Sequence, residues 1–368
     1  MRVLIISMTV GEGHNQIAKA VANSLTKNGA EVKIAQLYGY SPKETERQNK
    51  IYLSACKYVP HIYEKIWLRT CKKPIKSYIR GVIKDCESHV LKEIESYRPD
   101  AVVCTHNNAG AVVSHLKEAG KIDGKIKTYS IVFDYCICPY WEYNAGLDYA
   151  VLPDDNMIEG MKEKGFKAEQ LLPLGLPVDE KYTVKLDKAA TREKLGLDRD
   201  KFTVALYSGG NCVSSAYKII KQLLKCKTDI QIVAICGKNK KEYEKVNKLI
   251  AKNGLKNVLN YGFCTCLDEV YSACDLVITR GGGMGVTEQI NKHIPFVSRE
   301  KLILNEKINK IYFEKIGLSV PMQKLSDAPK VVDMLAGNPE KLADMAKNAE
   351  KFCKPNATAD LVNHILNK

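Results

Sequence analysis

Nowhere in this 368-residue chain does an apolar run approach the roughly 18 residues that a membrane-crossing helix needs. The N-terminus has no basic segment ahead of a greasy stretch and no cleavage site, so no leader is expected there. Helix-turn-helix, zinc-finger and RNP-type signals are missing, which removes nucleic acid from the expected partners. The thirteen cysteines are odd in number, and Cys104, Cys236 and Cys274 sit inside apolar runs. Reduced, buried thiols are the expectation. Two C-x-C pairs, Cys136/Cys138 and Cys264/Cys266, lack the spacing and the histidines of a zinc site, so no metal is expected. A dinucleotide fingerprint is also incomplete. In "VLIISMTVGEGHNQIAKAVANSL" Gly11 and Gly13 are present, but the third glycine position holds Ile17. Gln36 and Leu37 end the next strand-like run, where an acid would hold a ribose. NAD is therefore not expected, nor any other cofactor.

What the chain does have is positive charge. The formal net charge is +14 and the pI is about 9.0, with 45% hydrophobic residues to build cores. Such a surface attracts nucleic acid, an anionic membrane or a phosphorylated substrate.

The organisation repeats. Strand-like runs "RVLIIS", "EVKIAQLY", "DAVVCTH", "KTYSIVFD" and "YAVLP" alternate with helical patterns at Gln16–Lys27, Asp85–Ser96 and Ala109–Ala119. The second half follows suit with "FTVALYSGG", "IQIVAICG", "NVLNYGF", "LVITRGGG" and "IPFVS". Strands alternating with helices predict parallel sheets covered on both faces. Two such halves predict an α/β protein of two doubly wound domains, with ligands outside the carboxyl ends of the strands and between the domains. The expected division is 1–175, a charged linker at 176–200, a second domain at 201–350 and a terminal helix at 351–368.

Several motifs carry candidate chemistry. "GEGH" puts His14 where the first helix begins, just after Gly13. A histidine there would stay neutral against the positive dipole end and could serve as a general base. The plain alternative is a tight turn into a helix. "DLVITRGGGMGVTEQI" is a second strand, glycine loop and helix. Gly282 and Gly283 let the backbone aim N–H groups at phosphate, and Arg280 can add charge. Glu288 suits a ribose diol, since a carboxylate only accepts; a helix acid favoured by the dipole is the alternative. "YSGGN" offers Gly209 and Gly210 for phosphate or a simple turn. "FDYCICPYWEYNAGLDY" holds Asp134 at a strand end, either a site acid or a cap. Trp141, one of two tryptophans, reads as packing, and Asp198-x-Asp200 reads as a solvated turn.

Lys50 to Lys84 has nine Lys/Arg and one acid, Glu64. Ile62, Tyr63, Ile66 and Trp67 recur at helical spacing beside Lys65, Arg69, Lys72, Lys73 and Lys76. This is the pattern of an interfacial membrane segment, with an ordinary packed amphipathic helix as the alternative.

Taken in order, "TVGEGHNQIAKA", "FDYCICPYWE", "GLPV", "VLNYGFCTCLDEVYSACDLVITRGGGMGVTEQINKHIPFV" and "NEKIN" resemble the monogalactosyldiacylglycerol synthase and processive diacylglycerol glucosyltransferase family. The resemblance implies a GT-B fold of two facing Rossmann-like domains, with the C-terminal helix crossing back to the first. It implies inverting transfer of glucose or galactose from a UDP-sugar to diacylglycerol or a glycosyldiacylglycerol, without metal, on the cytoplasmic face of an anionic membrane. It implies that Phe263 lies beside the uracil, Gly282 and Gly283 by the diphosphate, and Glu288 on the ribose. Asn305, Glu306 and Asn309 would contact the sugar, with His14 and Asp134 near the acceptor hydroxyl as candidate bases. Gly285 stands where relatives often have Thr, and Asn305 where they often have Gln. Another acceptor, a UDP-sugar epimerase and a non-catalytic UDP-sugar sensor are the alternatives. The oligomeric state has no sequence signal.

Overall fold

The structure, a computed structural model, describes residues 1–72, 74–210, 215–298 and 304–368, leaving out the side chains of 55–57, 60, 63 and 72. The chain forms two compact units. One comprises Met1–Glu180, Ile303–Asn305 and Lys354–Lys368; the other comprises Lys181–Leu302 and Glu306–Cys353.

The first unit opens with β1 (Arg2–Ser7), α1 (Gly13–Lys27) and β2 (Glu31–Gln36). Three helices follow, α2 (Pro42–Tyr58), α3 (Pro60–Lys72) and α4 (Lys76–Tyr97). Then come β3 (Ala101–Cys104), α5 (Asn107–Glu118), β4 (Lys127–Ile131), β5 (Tyr149–Val151), α6 (Ile158–Glu163) and β6 (Leu171–Leu172). Among the described residues the sheet has six parallel strands in the order β2-β1-β3-β4-β5-β6. Val3 to Ser7 are all buried, as a strand covered on both faces requires. On α4, Ile79, Val82, Cys86, Val90 and Ile94 recur every three or four residues and pack with Leu4 and Ile6 of β1.

In the second unit α7 (Lys188–Lys194) precedes β7 (Phe202–Leu206), α8 (Ala216–Leu223), β8 (Ile230–Ile235), α9 (Lys240–Asn253) and β9 (Val258–Tyr261). These lead to α10 (Leu267–Ala273), β10 (Leu276–Thr279), α11 (Gly283–Asn291), β11 (Phe296–Ser298), α12 (Leu304–Lys315), α13 (Ala328–Ala336) and α14 (Pro339–Phe352). Five described strands run parallel in the order β11-β10-β7-β8-β9. The last helix, α15 (Ala357–Leu366), belongs to the first unit. Thr358 Oγ1 accepts from Val178 N at 3.0 Å and donates to Val178 O at 2.7 Å, fastening its start.

The division at Glu180 falls inside the stretch expected as a linker, but the rest of that stretch is built into the second unit. Arg192 is the reason. It is 5% exposed, and its Nη2 donates to Asp275 Oδ2 at 2.6 Å. Its Nε and Nη1 donate to Ala273 O and Arg199 O at 2.8 and 2.6 Å. The composition around it is charged, yet all three nitrogens of its guanidinium find acceptors in the interior. The Asp198-x-Asp200 pattern is a turn, with Asp198 Oδ1 accepting from Asp200 N and Lys201 N. Trp141 is 3% exposed and packs in a small core with Val132, Leu152 and Met161.

The helices α2 and α3 are half-open to solvent. Ile51, Ile62, Ile66 and Leu68 are exposed, as are Lys65 and Arg69, whereas Trp67 is only partly so. Lys73 and the side chains of Tyr63 and Lys72 lie outside the described residues. No described helix is long and apolar enough to cross a membrane.

Candidate active site

Strand order places the sites. In the first sheet the chain leaves β1 for β2 on one side, then crosses to β3 on the other. In the second it runs from β7 out to β9 and returns to lay β10 against β7. Such reversals open a crevice at the carboxyl ends of the strands. The loops there are those after β1, β3 and β4 in the first unit, and after β7 and β10 in the second. Gly13 and His14 follow β1, Asp134 follows β4, Gly209 and Gly210 follow β7, and Arg280 to Gly283 follow β10.

In the first unit the loop after β1 is tied by a polar ring. Ser7 Oγ donates to Asn15 Oδ1 at 2.8 Å, Asn15 Nδ2 to Thr9 Oγ1 at 3.0 Å, and Thr9 Oγ1 to Gln36 Oε1 at 2.9 Å. Gln36 Nε2 closes the ring on Asn15 Oδ1 at 3.0 Å. Gln36, which breaks the dinucleotide pattern, thus holds the loop instead. Gly11 has φ +76° and donates its N–H to Asn49 Oδ1 at 3.0 Å. The conformation favours glycine at this position.

His14 starts α1, and its Nδ1 bonds the carbonyl of Thr105, the residue after β3 and before the α5 cap. A carbonyl only accepts, so Nδ1 carries the proton and Nε2 keeps the lone pair. The Phe133 and His106 rings pack on the imidazole at centroid distances of 4.3 and 4.7 Å. Burial lowers the pKa of His14 to about 4, partly offset by the Thr105 carbonyl. The neutral imidazole expected from the helix dipole is present, but desolvation is its main cause. Asp134, next to Phe133, is 6% exposed and accepts from Asn305 Nδ2 at 2.7 Å. Asp148 is a structural anchor: Lys117 Nζ donates to it at 2.5 Å and Thr128 N at 2.8 Å.

In the second unit, two sequence-distant motifs meet. Gly281 has φ +86°, and Gly282, which has no side chain to cap with, is the N-cap of α11. A helix N-terminus presents backbone N–H groups and a positive dipole end, which suit an anion. On α12, Glu306 and Asn309 lie one turn apart and reach this loop. Asn309 Nδ2 donates to Gly281 O at 3.0 Å, and Glu306 Oε1 lies 4.0 Å from where a Cβ on Gly282 would sit. Arg280 Nε is 2.6 Å from Glu306 Oε1, so its charge is shared with that acid. Glu288, on the second turn of α11, is 1% exposed. At Gly285 a Cβ would be 3.1 Å from Tyr207 Cε1, so Tyr207 occupies the space a larger side chain would take. Gly209 has φ +74°, and Gly210 O receives Lys238 N at 2.8 Å. Phe263 is 62% exposed, with Lys238 Nζ 5.9 Å from its ring centre. An open aromatic face of this kind suits stacking by a flat ligand.

Thr105 and His106 are named in no motif, and Phe133 only as the neighbour of Asp134 in "FDYCICPYWE". "CTHNNAG" reads as a strand running into a helix, and only the adjacency of β1 and β3 brings it to His14.

Comparison with known proteins gives the class first: this is a glycosyltransferase of the GT-B fold. MurG of Acinetobacter baumannii superposes with a TM-score of 0.65 at 18% identity, covering 100% of this chain and 99% of that one. Anabaena Alr3699/HepE in complex with UDP-glucose superposes at 0.58 with 12% identity and 100% coverage of both. Residues 14–178 match the family model of monogalactosyldiacylglycerol (MGDG) synthase, and residues 211–361 match the glycosyltransferase family 28 C-terminal domain. The processive diacylglycerol beta-glucosyltransferase of Bacillus mycoides (strain KBAB4) is 24% identical over 374 residues, 99% of this chain and 93% of that protein. The chain is a hexosyltransferase that is similar to the monogalactosyldiacylglycerol synthase family over its first half and to glycosyltransferase family 28 over its second.

Proposed function

We propose that this protein transfers glucose from UDP-glucose to diacylglycerol, or to a glycosyldiacylglycerol, at an anionic membrane surface, with inversion at the anomeric carbon. The observation that carries the reading is the state of His14: Nδ1 held by the Thr105 carbonyl, Nε2 left as an acceptor, and the ring neutral. An acceptor hydroxyl gives its proton to Nε2 as its oxygen attacks the anomeric carbon. Asp134 is the alternative base. The curated relative's name supports a lipid acceptor and a β-linked glucose. UDP-glucose is α-linked, so a β product means one direct displacement with inversion.

The donor fits the second unit. Its diphosphate takes the N-terminus of α11, where Gly282 and Gly283 permit close approach and the helix end stabilises the departing charge. Uracil stacks on Phe263, Glu288 accepts from the ribose hydroxyls, and Glu306 and Asn309 meet the hexose. Asn305 donates to Asp134 within the first unit, beside the residues that would hold the acceptor. The exposed apolar and basic residues of α2 and α3 suit a bilayer surface, where diacylglycerol resides.

The test is incubation of labelled UDP-glucose and UDP-galactose with anionic vesicles, with and without diacylglycerol. Lipid-extractable label from UDP-glucose that depends on diacylglycerol supports the reading. Label appearing only in water-soluble products, or only from UDP-galactose, sinks it in favour of another acceptor or donor.

A further inference from the structure

A second histidine stands beside His14, and its hydrogen-bonding sense is the reverse. His106 is the N-cap of α5, and its Nδ1 accepts from Asn108 N at 3.0 Å. A backbone N–H only donates, so Nδ1 of His106 must be bare and its proton must sit on Nε2. His14 bonds a carbonyl through Nδ1, so its proton is there and its Nε2 is bare. The rings are 4.7 Å apart, tilted by 59°. Neither Nε2 has a hydrogen-bond partner among the described residues, and neither is among the buried atoms left without one. Two backbone groups, one an acceptor after β3 and one a donor in α5, therefore set neighbouring imidazoles in opposite tautomers. Burial lowers the pKa of both, and His14 further disfavours a charge on His106, so both stay neutral around pH 7.

We propose that His106 is a second substrate-binding residue of this site, whose Nε2–H donates to an oxygen lone pair of the acceptor while the bare Nε2 of His14 takes the hydroxyl proton. The inference rests on the reading of His14 as the base. The pair selects a ligand with a hydroxyl beside a second oxygen, as in a glyceride ester or a sugar diol. A hydroxyl alone satisfies only His14. The donor on His106 fixes the rotation of the acceptor, which leaves one oxygen free to attack.

The test uses His106→Asn. Asparagine keeps a side-chain acceptor for Asn108 N, and so keeps the cap, but lacks the reach of Nε2–H. With the cap intact, the melting temperature should stay near that of the wild type. His106→Ala should lose both. In His106→Asn, kcat/KM for diacylglycerol should fall about ten- to a hundredfold, chiefly in KM, with UDP affinity unchanged. Nitrogen-15 NMR of the histidine-labelled protein reads the tautomers directly, with lines assigned by His14→Gln and His106→Asn. The expected result is Nδ1–H for His14 and Nε2–H for His106. Two rings in the same tautomer, or a His106→Asn protein with wild-type kcat/KM, overturns the proposal and leaves His106 a helix cap. Opposite tautomers in a wild-type protein that glycosylates no diacylglycerol but does transfer to another hydroxyl compound would support the pair and overturn the lipid assignment alone.

Discussion

Acid titration of His14 is the perturbation whose size the structure fixes best. In the folded protein burial holds this imidazole at about pKa 4, against 6.5 when unperturbed. Between those values the unfolded chain binds the proton and the folded chain does not. The stability it confers is thus complete above pH 6.5 and is lost as pH falls through 4. With each pKa unit worth about 1.4 kcal/mol, the full loss is on the order of 3 kcal/mol. The kinetic counterpart has the same sign. Since the base must be neutral, kcat/KM should be level from pH 8 down to roughly 5, with half its value near pH 4. The assay is initial rate against pH at low substrate, paired with urea unfolding at each pH. His14→Ala supplies the baseline, and His106, the titratable ring facing it, is varied separately. At pH 7 His14→Ala should lower turnover by about 10²–10⁴-fold with UDP binding hardly changed. An acid limb centred near pH 6.5, or a His14→Ala protein with near-wild-type turnover, would refute the reasoning and pass the base role to Asp134.

Other substitutions probe the remaining parts. Glu288→Ala should weaken UDP binding about tenfold or more in calorimetry, since hydrogen bonds to a charged acceptor are worth about 1.5–3 kcal/mol. An unchanged affinity in a folded protein makes it a helix acid only. Trp67→Ala with Lys72→Glu and Lys73→Glu should reduce sedimentation with anionic vesicles and lipid glycosylation but spare UDP binding, each lost basic residue being worth about 1 kcal/mol at low salt. Equal binding to neutral and anionic vesicles would return α2 and α3 to plain packing. Gly110→Ala should destabilise the first unit, because the added Cβ would lie 1.8 Å from Asn144 Oδ1 in the interior. A cost of about 1–3 kcal/mol or more is expected from such overpacking, and a denaturant midpoint equal to the wild type's contradicts the packing described.

Much of the architecture was legible because buried parallel strands are short continuous apolar runs, as in "RVLIIS" and "IQIVAI", bounded by glycine loops and helical periodicity. The two loops that matter most in the second unit could be named for the same reason. What could not be read is what depends on strand order. His106 reads in the sequence as the end of the strand-like run "DAVVCTH" and comes beside His14 because β3 lies beside β1. Arg280 was legible as a charge near phosphate, but its pairing with Glu306 depends on where α12 packs. The stretch around Arg192 reads as a charged linker because composition does not show where a guanidinium finds its carbonyls. The neutral His14 was foreseen, yet from the helix end rather than from the burial that dominates.

The proposed activity is tested most directly by the identity and anomeric configuration of the lipid made from UDP-glucose and diacylglycerol by the wild-type protein. The expected product is glucosyldiacylglycerol with a β-linked glucose by proton NMR, with one UDP released per sugar added. An α-linked product, a sugar on some other acceptor, or UDP-glucose converted to a different nucleotide sugar would contradict it.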